Sequence, residues 1–543
     1  MFRMAFRLRD MGDHRRNGST ADGWPSEVEL KLAGPPDALL AIERLPWLLL
    51  RAEKRTTRRL VSIYFDTPDL RLYERGLALR IRRVGRRRIQ TLKTARDRHA
   101  VVAGRGEWEV DVGTDTPDLA AFADRRVLAL AGDMPAGGLG PIFETRIRRL
   151  AMQIVWPTAG SADARIEIAL DRGEVVAGGQ RLPISQIELE LLDGPAGALL
   201  ELAVALRREA PLRISRLDKA AMGYGLAAGV PPAHTKAGRL RLDPSRTVED
   251  AMRAVFQHCL AHGLANESVV VDGRNLEGVH QLRVAMRRLR SALTIFAPLL
   301  PSEQQARWKG EARWLLGTLG KSRDLDVVLT ELLPEVVAAG GADASLEMFR
   351  RAAADRSETA RAEARQALAS QRAGDFLLDF ASWVQRYGWR EPGDAERARS
   401  GRESVAAFAA RAVAHRFRKL RKAGRGFAGL DPLARHRVRV QAKKLRYGLE
   451  FFAHALAAPE AERQLAGLTR LLDLLGRRND IAVVGRLVDD LVDAAPPAVR
   501  PAIARAGGML LGWHAHAAAA MEKKTVRAWR AVKALDPHRL AGS

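Results

Sequence analysis

The feature that most constrains this chain is a change of hydrophobic period near residue 230. From Glu27 to about Gly229, apolar and charged residues alternate in short runs, the period of strands with one apolar face. From about Pro244 onward the period is helical. The paired prolines of Val230-Pro231-Pro232-Ala233-His234 mark the break, because they stop regular structure. Two folding units are expected, the first β-rich and the second all-α. With 543 residues, 47% of them hydrophobic, the chain is long enough for both cores.

The β-rich runs place formal charges, with few neutral polar residues, on one face. They read Glu27-Val28-Glu29-Leu30-Lys31-Leu32, Leu79-Arg80-Ile81-Arg82, Gln90-Thr91-Leu92-Lys93 and Glu107-Trp108-Glu109-Val110-Asp111-Val112. Further runs are Thr145-Arg146-Ile147-Arg148, Arg165-Ile166-Glu167-Ile168-Ala169-Leu170-Asp171 and Ile187-Glu188-Leu189-Glu190-Leu191. The ordinary meaning of alternation is a sandwich with one solvated face. About eight candidate strands, however, are enough to close a small barrel. Charges turned into a closed lumen must be paired or ligated. A metal–triphosphate complex satisfies both signs: Arg and Lys neutralise phosphate oxygens, and carboxylates hold a hard cation.

The formal net charge of +25 favours polyanionic partners over neutral ones, although an Ala-, Arg- and Gly-rich background accounts for part of it. One cysteine, Cys259, excludes an internal disulfide and a thiolate metal cluster, and fits a reducing compartment. No apolar run is long enough to span a membrane. Residues 1–23 read as a disordered basic lead-in without the apolar stretch of a secretory signal, and Met4 or Met11 are alternative starts.

Glu27-x-Glu29-x-Lys31 resembles the ExExK signature of the CYTH domain, the triphosphate tunnel metalloenzymes. The resemblance runs over residues 24–229, through Tyr64-Phe65-Asp66-Thr67-Pro68-Asp69, Leu79-Arg80-Ile81-Arg82, Thr91-Leu92-Lys93, Ile187-Glu188-Leu189-Glu190 and Leu217-Asp218-Lys219-Ala220. It is nearest to the bacterial inorganic triphosphatases, and it implies an eight-stranded antiparallel tunnel with flanking helices, using Mg²⁺ or Mn²⁺. Carried over, it implies Glu27, Glu29, Glu188, Glu190 and Asp171 as metal-side carboxylates. Glu27, Glu29, Lys31, Glu188 and Glu190 become the catalytic set. Lys31, Arg80, Arg82, Lys93, Arg146, Arg148 and Lys219 become the phosphate clamp, with Glu107, Glu109 and Glu167 also facing inward. One departure stands in the presumed loop Val101–Gly106, which lacks the Gly-Gly-Leu-His run of close relatives.

The helical half, 244–540, contains a duplication. His280-Gln281-Leu282-Arg283-Val284-Ala285-Met286-Arg287-Arg288-Leu289-Arg290 recurs as His436-Arg437-Val438-Arg439-Val440-Gln441-Ala442-Lys443-Lys444-Leu445-Arg446. The offset of 156 positions also relates Leu319-Gly320 to Leu475-Gly476 and Asp324 to Asp480, so units of about 244–400 and 401–540 are expected, each like a four-helix bundle. His280, Arg283, Arg287 and Arg290 fall on one helical stripe, and His436, Arg439, Lys443 and Arg446 on another. A solvated face has no reason to repeat its histidine, so these stripes, with Arg288 and Lys444, are candidates to track a phosphate chain. Protonation of the histidines is expected to tighten the grip at lower pH. No carboxylate at ligand spacing accompanies them, so a zinc site is not expected. These motifs resemble the CHAD domain, which implies an α-helical module that binds inorganic polyphosphate; Asp324 and Asn479-Asp480 match its second motif. A further basic run, Arg411, His415, Arg416, Arg418, Lys419, Arg421 and Lys422, either flanks the groove or is plainly solvated.

The expected fold is therefore α+β multidomain: an eight-stranded antiparallel β-barrel tunnel (24–229), a linker (230–243) and an all-α duplicated domain. The expected activity is metal-dependent hydrolysis of inorganic triphosphate to pyrophosphate and phosphate, with polyphosphate bound by the helices. The expected location is the cytoplasm, with polyphosphate granules as a place of association. The alternatives are a non-catalytic granule-binding protein, or a tunnel acting on an organic triphosphate, as thiamine triphosphatase or adenylate cyclase does. Nucleic-acid partners are disfavoured by the absence of a zinc finger, an RNP aromatic run or a helix-turn-helix signature.

Overall fold

The computed structural model describes residues 26–95, 102–132, 138–158, 162–229, 231–340, 343–391 and 393–540, except the side chains at 26, 103, 458, 478–480 and 482. The basic lead-in, Val101 and the side chains of Asn479 and Asp480 lie outside the described residues. Contacts divide the chain into two units: residues Met1–Ala233 with Ala369–Arg386, and His234–Leu368 with Tyr387–Ser543.

In the first unit the alternating runs form β1 (Ser26–Ala33), β2 (Ala52–Asp66), β3 (Leu77–Val84), β4 (Arg87–Thr94), β5 (Ala103–Val112), β6 (Gly140–Trp156), β7 (Ala164–Ala177) and β8 (Gln180–Asp193). Every neighbouring pair is antiparallel, in the order β5-β4-β3-β2-β6-β7-β8-β1. A last pairing, Glu27 opposite Arg105 and Glu29 opposite Ala103, joins β1 to β5 and closes the barrel. The short β9 (Arg213–Ile214) adds to the other end of β1.

Outward side chains of β1, β7 and β8, such as Leu30, Leu32, Ile166, Ile168, Ile187 and Leu189, are fully buried. Helices α1 (Pro36–Glu43), α2 (Pro46–Arg51) and α3 (Gly197–Glu209) pack on this side of the barrel. Each such side chain contributes about 1.5–3 kcal/mol by leaving water. The inside is of two kinds. At one end α4 (Lys219–Ala228) packs on β6, β7 and β8, and Met222 and Tyr224 join Leu60, Tyr64, Phe143, Ile147, Val175 and Ile184 in an apolar plug. The rest of the lumen is charged.

The second unit begins with a stretch, 234–243, that forms no helix or strand. It is not loose. Asn266 accepts a hydrogen bond from Thr235 N (2.9 Å) and donates one to Thr235 O (2.8 Å), pinning the linker to the helices. Its longer helices begin with α5 (Val248–Asp272), α6 (Glu277–Ile295), α7 (Ser302–Val327) and α8 (Ala344–Ala369). After α9 (Gln371–Gln385), which belongs to the first unit, come α10 (Val405–Ala423), α11 (Pro432–Phe452), α12 (Ala458–Ala494), α13 (Arg500–Ala520) and α14 (Glu522–Ala534).

The duplicated sequence is visible in this arrangement. Helices α10 to α13 follow α5 to α8 at the offset of the repeat. Thr247 caps α5 and Ser404 caps α10, each accepting a backbone N–H. The two caps form a reciprocal bridge, Val248 N to Glu403 O (2.9 Å) and Val405 N to Arg246 O (3.0 Å). The repeated Leu-Gly also gains a reason. A Cβ at Gly320 would stand 2.6 Å from Arg283 Nη1, and one at Gly476 would stand 3.6 Å from Arg439 Nη2. At Gly320 the glycine leaves room for Arg283, four positions before the doubled basic pair, and at Gly476 the corresponding arginine approaches only to ordinary contact distance.

One helix leaves its sequence neighbourhood. α9 packs on α3 and β9 of the barrel unit. There Arg207 of α3 is ion-paired with Asp375 and Asp379 of α9.

Candidate functional site

Inward positions of the barrel strands follow from the register, because directly opposed residues share a face. β1 contributes Glu27, Glu29 and Lys31; β8 contributes Glu188 and Glu190, with Glu29 opposite Glu190 and Lys31 opposite Glu188. β4 and β5 contribute Lys93 opposite Glu107 and Thr91 opposite Glu109. β3 contributes Arg80 and Arg82, and Lys219 enters from the start of α4. Asp218 caps α4 through Ala221 N (2.8 Å), which fixes where Lys219 emerges.

Two corrections concern this lumen. Arg146 and Arg148 point outward: Arg146 Nε pairs with Glu144 (2.8 Å), and Arg148 with Glu43 (3.5 Å). The lumen residue of β6 is Arg149, opposite Asp171 on β7. The alternation Thr145-Arg146-Ile147-Arg148 misleads because the inward residues here, Phe143 and Ile147, belong to the apolar plug, so the charged face of this stretch is the outer one. A shift of one residue inverts every assignment. Second, the presumed loop before Glu107 is strand from Ala103, and it turns the buried Arg105 inward against Glu29 (3.0 Å), Glu27 (3.5 Å) and Asp218 (3.5 Å). Strict period two, continued backward from Glu109 and Glu107, is the signal that finds Arg105.

Many of the lumen charges pair with one another. Lys31 Nζ is 2.6 Å and Lys219 Nζ 2.7 Å from Glu188 Oε1, and Lys219 is also 2.7 Å from Asp171. Arg149 Nη2 lies 2.6 Å from Asp171 and 2.5 Å from Glu188. Burial opposes ionisation of these two carboxyls, yet Arg149, Lys219 and, for Glu188, Lys31 hold both below the usual carboxylate range. Lys93 spans Glu107 (2.7 Å) and Glu27 (3.2 Å), and against its burial Glu107 is held down to about 2.

Two places are left out of balance. Arg82 makes a hydrogen bond to Ser62 Oγ (3.3 Å) and, among the described residues, no ion pair. Burial first, then Arg80 and Arg149, push its guanidinium down to about 10, with Tyr64 and Glu109 acting the other way. Tyr64 lies in the same field. Although burial raises a phenol, Arg80, Arg82 and Lys219 draw its pKa below the ordinary value. Glu190 is the opposite case. Burial, then Glu27, Glu167 and Glu107, drive its carboxyl well above the ordinary value. The lumen thus has an anion-seeking place around Arg80, Arg82 and Arg149 and a cation-seeking place around Glu190.

Glu27, Glu107, Glu167 and Glu190 are oxygen donors of the kind a hard divalent cation takes, and the pressure that the first three put on Glu190 is what such a cation relieves. The donor chemistry fits. Among the described residues no group of three or more His, Cys, Asp or Glu already stands as a finished coordination shell. Of the expected metal-side carboxylates, Glu27 and Glu190 belong to this cluster, Glu27 while also paired with Lys93 and Arg105, and Glu29, Glu188 and Asp171 are engaged by Lys and Arg.

In the helical unit a band in which, among the described residues, cations outnumber carboxylates lies along α6, α7, α10 and α11. Burial, then Arg313, lowers the pKa of Arg290. Lys309 is lowered by burial, then by Arg416, Lys444, Arg290 and Arg313. Lys444 follows with burial, Arg416, Lys419 and Arg290. Arg283 is pushed down to about 10 by burial and by Arg287 and Arg323, while Asp324 at 3.9 Å works the other way. Next to Lys419, a crevice of about 510 Å³ is lined by Lys422, Arg437 and Gln441.

The expected stripes are only partly realised. Arg283, Arg287, Arg290 and Lys444 join the band. Arg288 does not: it is buried, ion-paired with Glu450 and stacked 4.9 Å over Phe451. At 100° per residue it sits off the stripe, on the packed side. Arg446 is also turned to Glu450 (3.2 Å). Arg439 and Lys443 are half-buried on α11, and His436 is exposed. Of the further basic run, Arg416 and Lys419 join the band, whereas Arg411 pairs with Glu403 and Arg421 donates to Leu535 O. Burial, then Arg323, Arg287 and Arg283, push His280 down to about 4 despite Glu277, so its imidazole stays neutral at mildly acidic pH.

Comparison with known proteins matches the CYTH domain to residues 25–224 and the CHAD domain to residues 254–489. An inorganic triphosphatase of Haemophilus influenzae is 31% identical over 205 residues, which are 37% of this chain and only 55% of that protein. An uncharacterized protein of Mycobacterium tuberculosis is 28% identical over 424 residues, 74% of this chain and 77% of its own length. The crystal structure of the CHAD domain from Ricinus communis, 30% identical, covers 56% of this chain and 99% of its own, with a TM-score of 0.49. No helix among the described residues is long and apolar enough to cross a membrane.

Proposed function

Because the chain is a CYTH domain followed by a CHAD domain, we propose that its barrel hydrolyses inorganic triphosphate with a divalent cation and that its helices bind polyphosphate. The observation that carries the first part is the double imbalance of the lumen. Among the described residues neither Arg82 nor Glu190 forms an ion pair, and burial with like charges works against the ionised form of each inside one lumen. A metal–triphosphate complex brings both. The similarity to the Haemophilus influenzae triphosphatase supports the same reading.

In this mechanism Arg80, Arg82 and Arg149, with Lys31, Lys93, Arg105 and Lys219 around them, draw the phosphate oxygens in and neutralise them. Tyr64 donates a hydrogen bond to a phosphate oxygen, its phenol made more acidic by Arg80 and Arg82. Glu27, Glu167 and Glu190, with Glu107, would hold Mg²⁺ or Mn²⁺, which when bound polarises the terminal phosphoryl group. Water displaces pyrophosphate from the terminal phosphorus, with the guanidinium cluster stabilising charge on the transferring group. The apolar plug closes the far end, so substrate enters and product leaves by the charged end.

The test is phosphate release from triphosphate, pyrophosphate, ATP and thiamine triphosphate, each with Mg²⁺ or Mn²⁺ and with EDTA. Metal-dependent release from triphosphate above the other three is expected. Preference for an organic triphosphate would replace the substrate, and no release with any metal would leave a binding protein. For the helices, retention of long polyphosphate is expected to fall steeply with salt, as released counterions dictate.

A further inference from the structure

The cationic wall of the lumen continues outward past the residues that hold a triphosphate. On β2 the inward positions are Lys54, Thr56, Arg58, Leu60, Ser62 and Tyr64. The register fixes this: Tyr64 lies opposite Phe143, Ser62 opposite Thr145, Arg58 opposite Arg149 and Lys54 opposite Gln153. Arg149 and Gln153 both reach lumen carboxylates, Arg149 at Asp171 and Gln153 at Glu167 (3.2 Å). β3 pairs only with Val61–Phe65, so the start of β2 runs on beyond it, at the end away from the plug.

Lys54 and Arg58 are exposed there and, among the described residues, in no ion pair. Their outward neighbour Arg55 does have a partner, Glu43 (3.5 Å). Like charges directly across a ladder, as Arg58 and Arg149 are, repel each other. An anion between them removes that cost. Ser62 stands beside Arg82; from Ser62 to Arg58 is about 13 Å along the strand, and from Arg58 to Lys54 about 13 Å more. A triphosphate seated at Arg80 and Arg82 does not extend along that whole row. A longer linear chain does.

Resting on the reading of the lumen as a triphosphate site, we propose that Arg58 and Lys54 form an outer phosphate subsite. It favours the ends of linear polyphosphates longer than triphosphate. The ladder positions these two cations to grip phosphates that trail out of the mouth while the terminal ones sit in the clamp.

The experiment uses the full chain with Arg58→Gln, Lys54→Gln and the double variant. Arg59→Gln, on the outer face of the same strand, serves as the control. Affinity by calorimetry in EDTA, and kcat/KM with Mg²⁺, are measured for triphosphate, tetraphosphate and a longer linear polyphosphate. Differences between variants isolate the barrel from binding by the helices. The ratio of longer chains to triphosphate is expected to fall about threefold for each substitution and about tenfold for both, the worth of one or two exposed charge contacts, with no change for Arg59→Gln. Equal losses at every length, or an unmoved ratio, overturn the subsite. Absence of triphosphate cleavage by the unmodified chain would overturn the hydrolase reading instead, and the affinity ratio would still judge the subsite.

Discussion

At the scale of single residues, the lumen is legible in the sequence where the apolar half of the alternation faces out and illegible where it faces in. Glu27, Glu29 and Lys31 stand between Val28, Leu30 and Leu32, and the structure buries those leucines against helices. Arg149 is hidden because its strand passes the plug, where Ile147 is the inward residue. The two cases separate by substitution. Arg149→Gln leaves Asp171, which has no exposed surface, and Glu188 short of a partner, and should cost about 3 kcal/mol of stability. It should also cost about a hundredfold in triphosphate turnover, whereas Arg146→Gln should change stability by less than about 0.5 kcal/mol. Melting curves and steady-state rates check both. Glu190 gives a pH prediction. Its raised pKa means that the folded chain keeps a proton the unfolded chain has lost, so this residue makes stability fall as pH rises from the ordinary carboxylate range towards its own pKa. Glu190→Gln should flatten that slope, raise the melting temperature of metal-free protein at neutral pH, and lower metal-dependent turnover. A variant that melts earlier and turns over normally would place Glu190 outside the site.

At the scale of elements, strands and helices were readable from period, but their partners were not. The spacing of Phe376, Leu377, Phe380 and Trp383 gives an amphipathic α9, yet nothing local says that it packs on α3 and β9. The same holds for α4: Lys219 is marked by its motif, while the burial of Met222 and Tyr224 in the lumen depends on barrel closure. The repeat was the most readable element because it is a comparison of the chain with itself. The consequence for α9 is direct. A chain ending at Gly229 lacks it, uncovers apolar surface on α3 and leaves Arg207 without Asp375 and Asp379. Such a chain should melt several degrees below the barrel transition of the full protein or aggregate, as differential scanning calorimetry and light scattering would show. An unchanged barrel transition would make α9 an accessory.

For the whole molecule, the net charge of +25 is put to two uses: an enclosed lumen where cations are largely matched by carboxylates, and an open band where they are not. The band suits a polyanion of indefinite length. Among the described residues Arg82 and Glu190 form no ion pair in that lumen, which suits it to an anion and a cation together. That fit is tested most directly by the melting temperature of the full chain with Mg²⁺ alone, with triphosphate alone and with both, since a ligand stabilises only the state that binds it. The two together should raise it by more than the sum of their separate shifts, and Arg82→Gln and Glu190→Gln should each abolish the excess. Additive shifts, or an excess that survives both substitutions, would contradict that expectation.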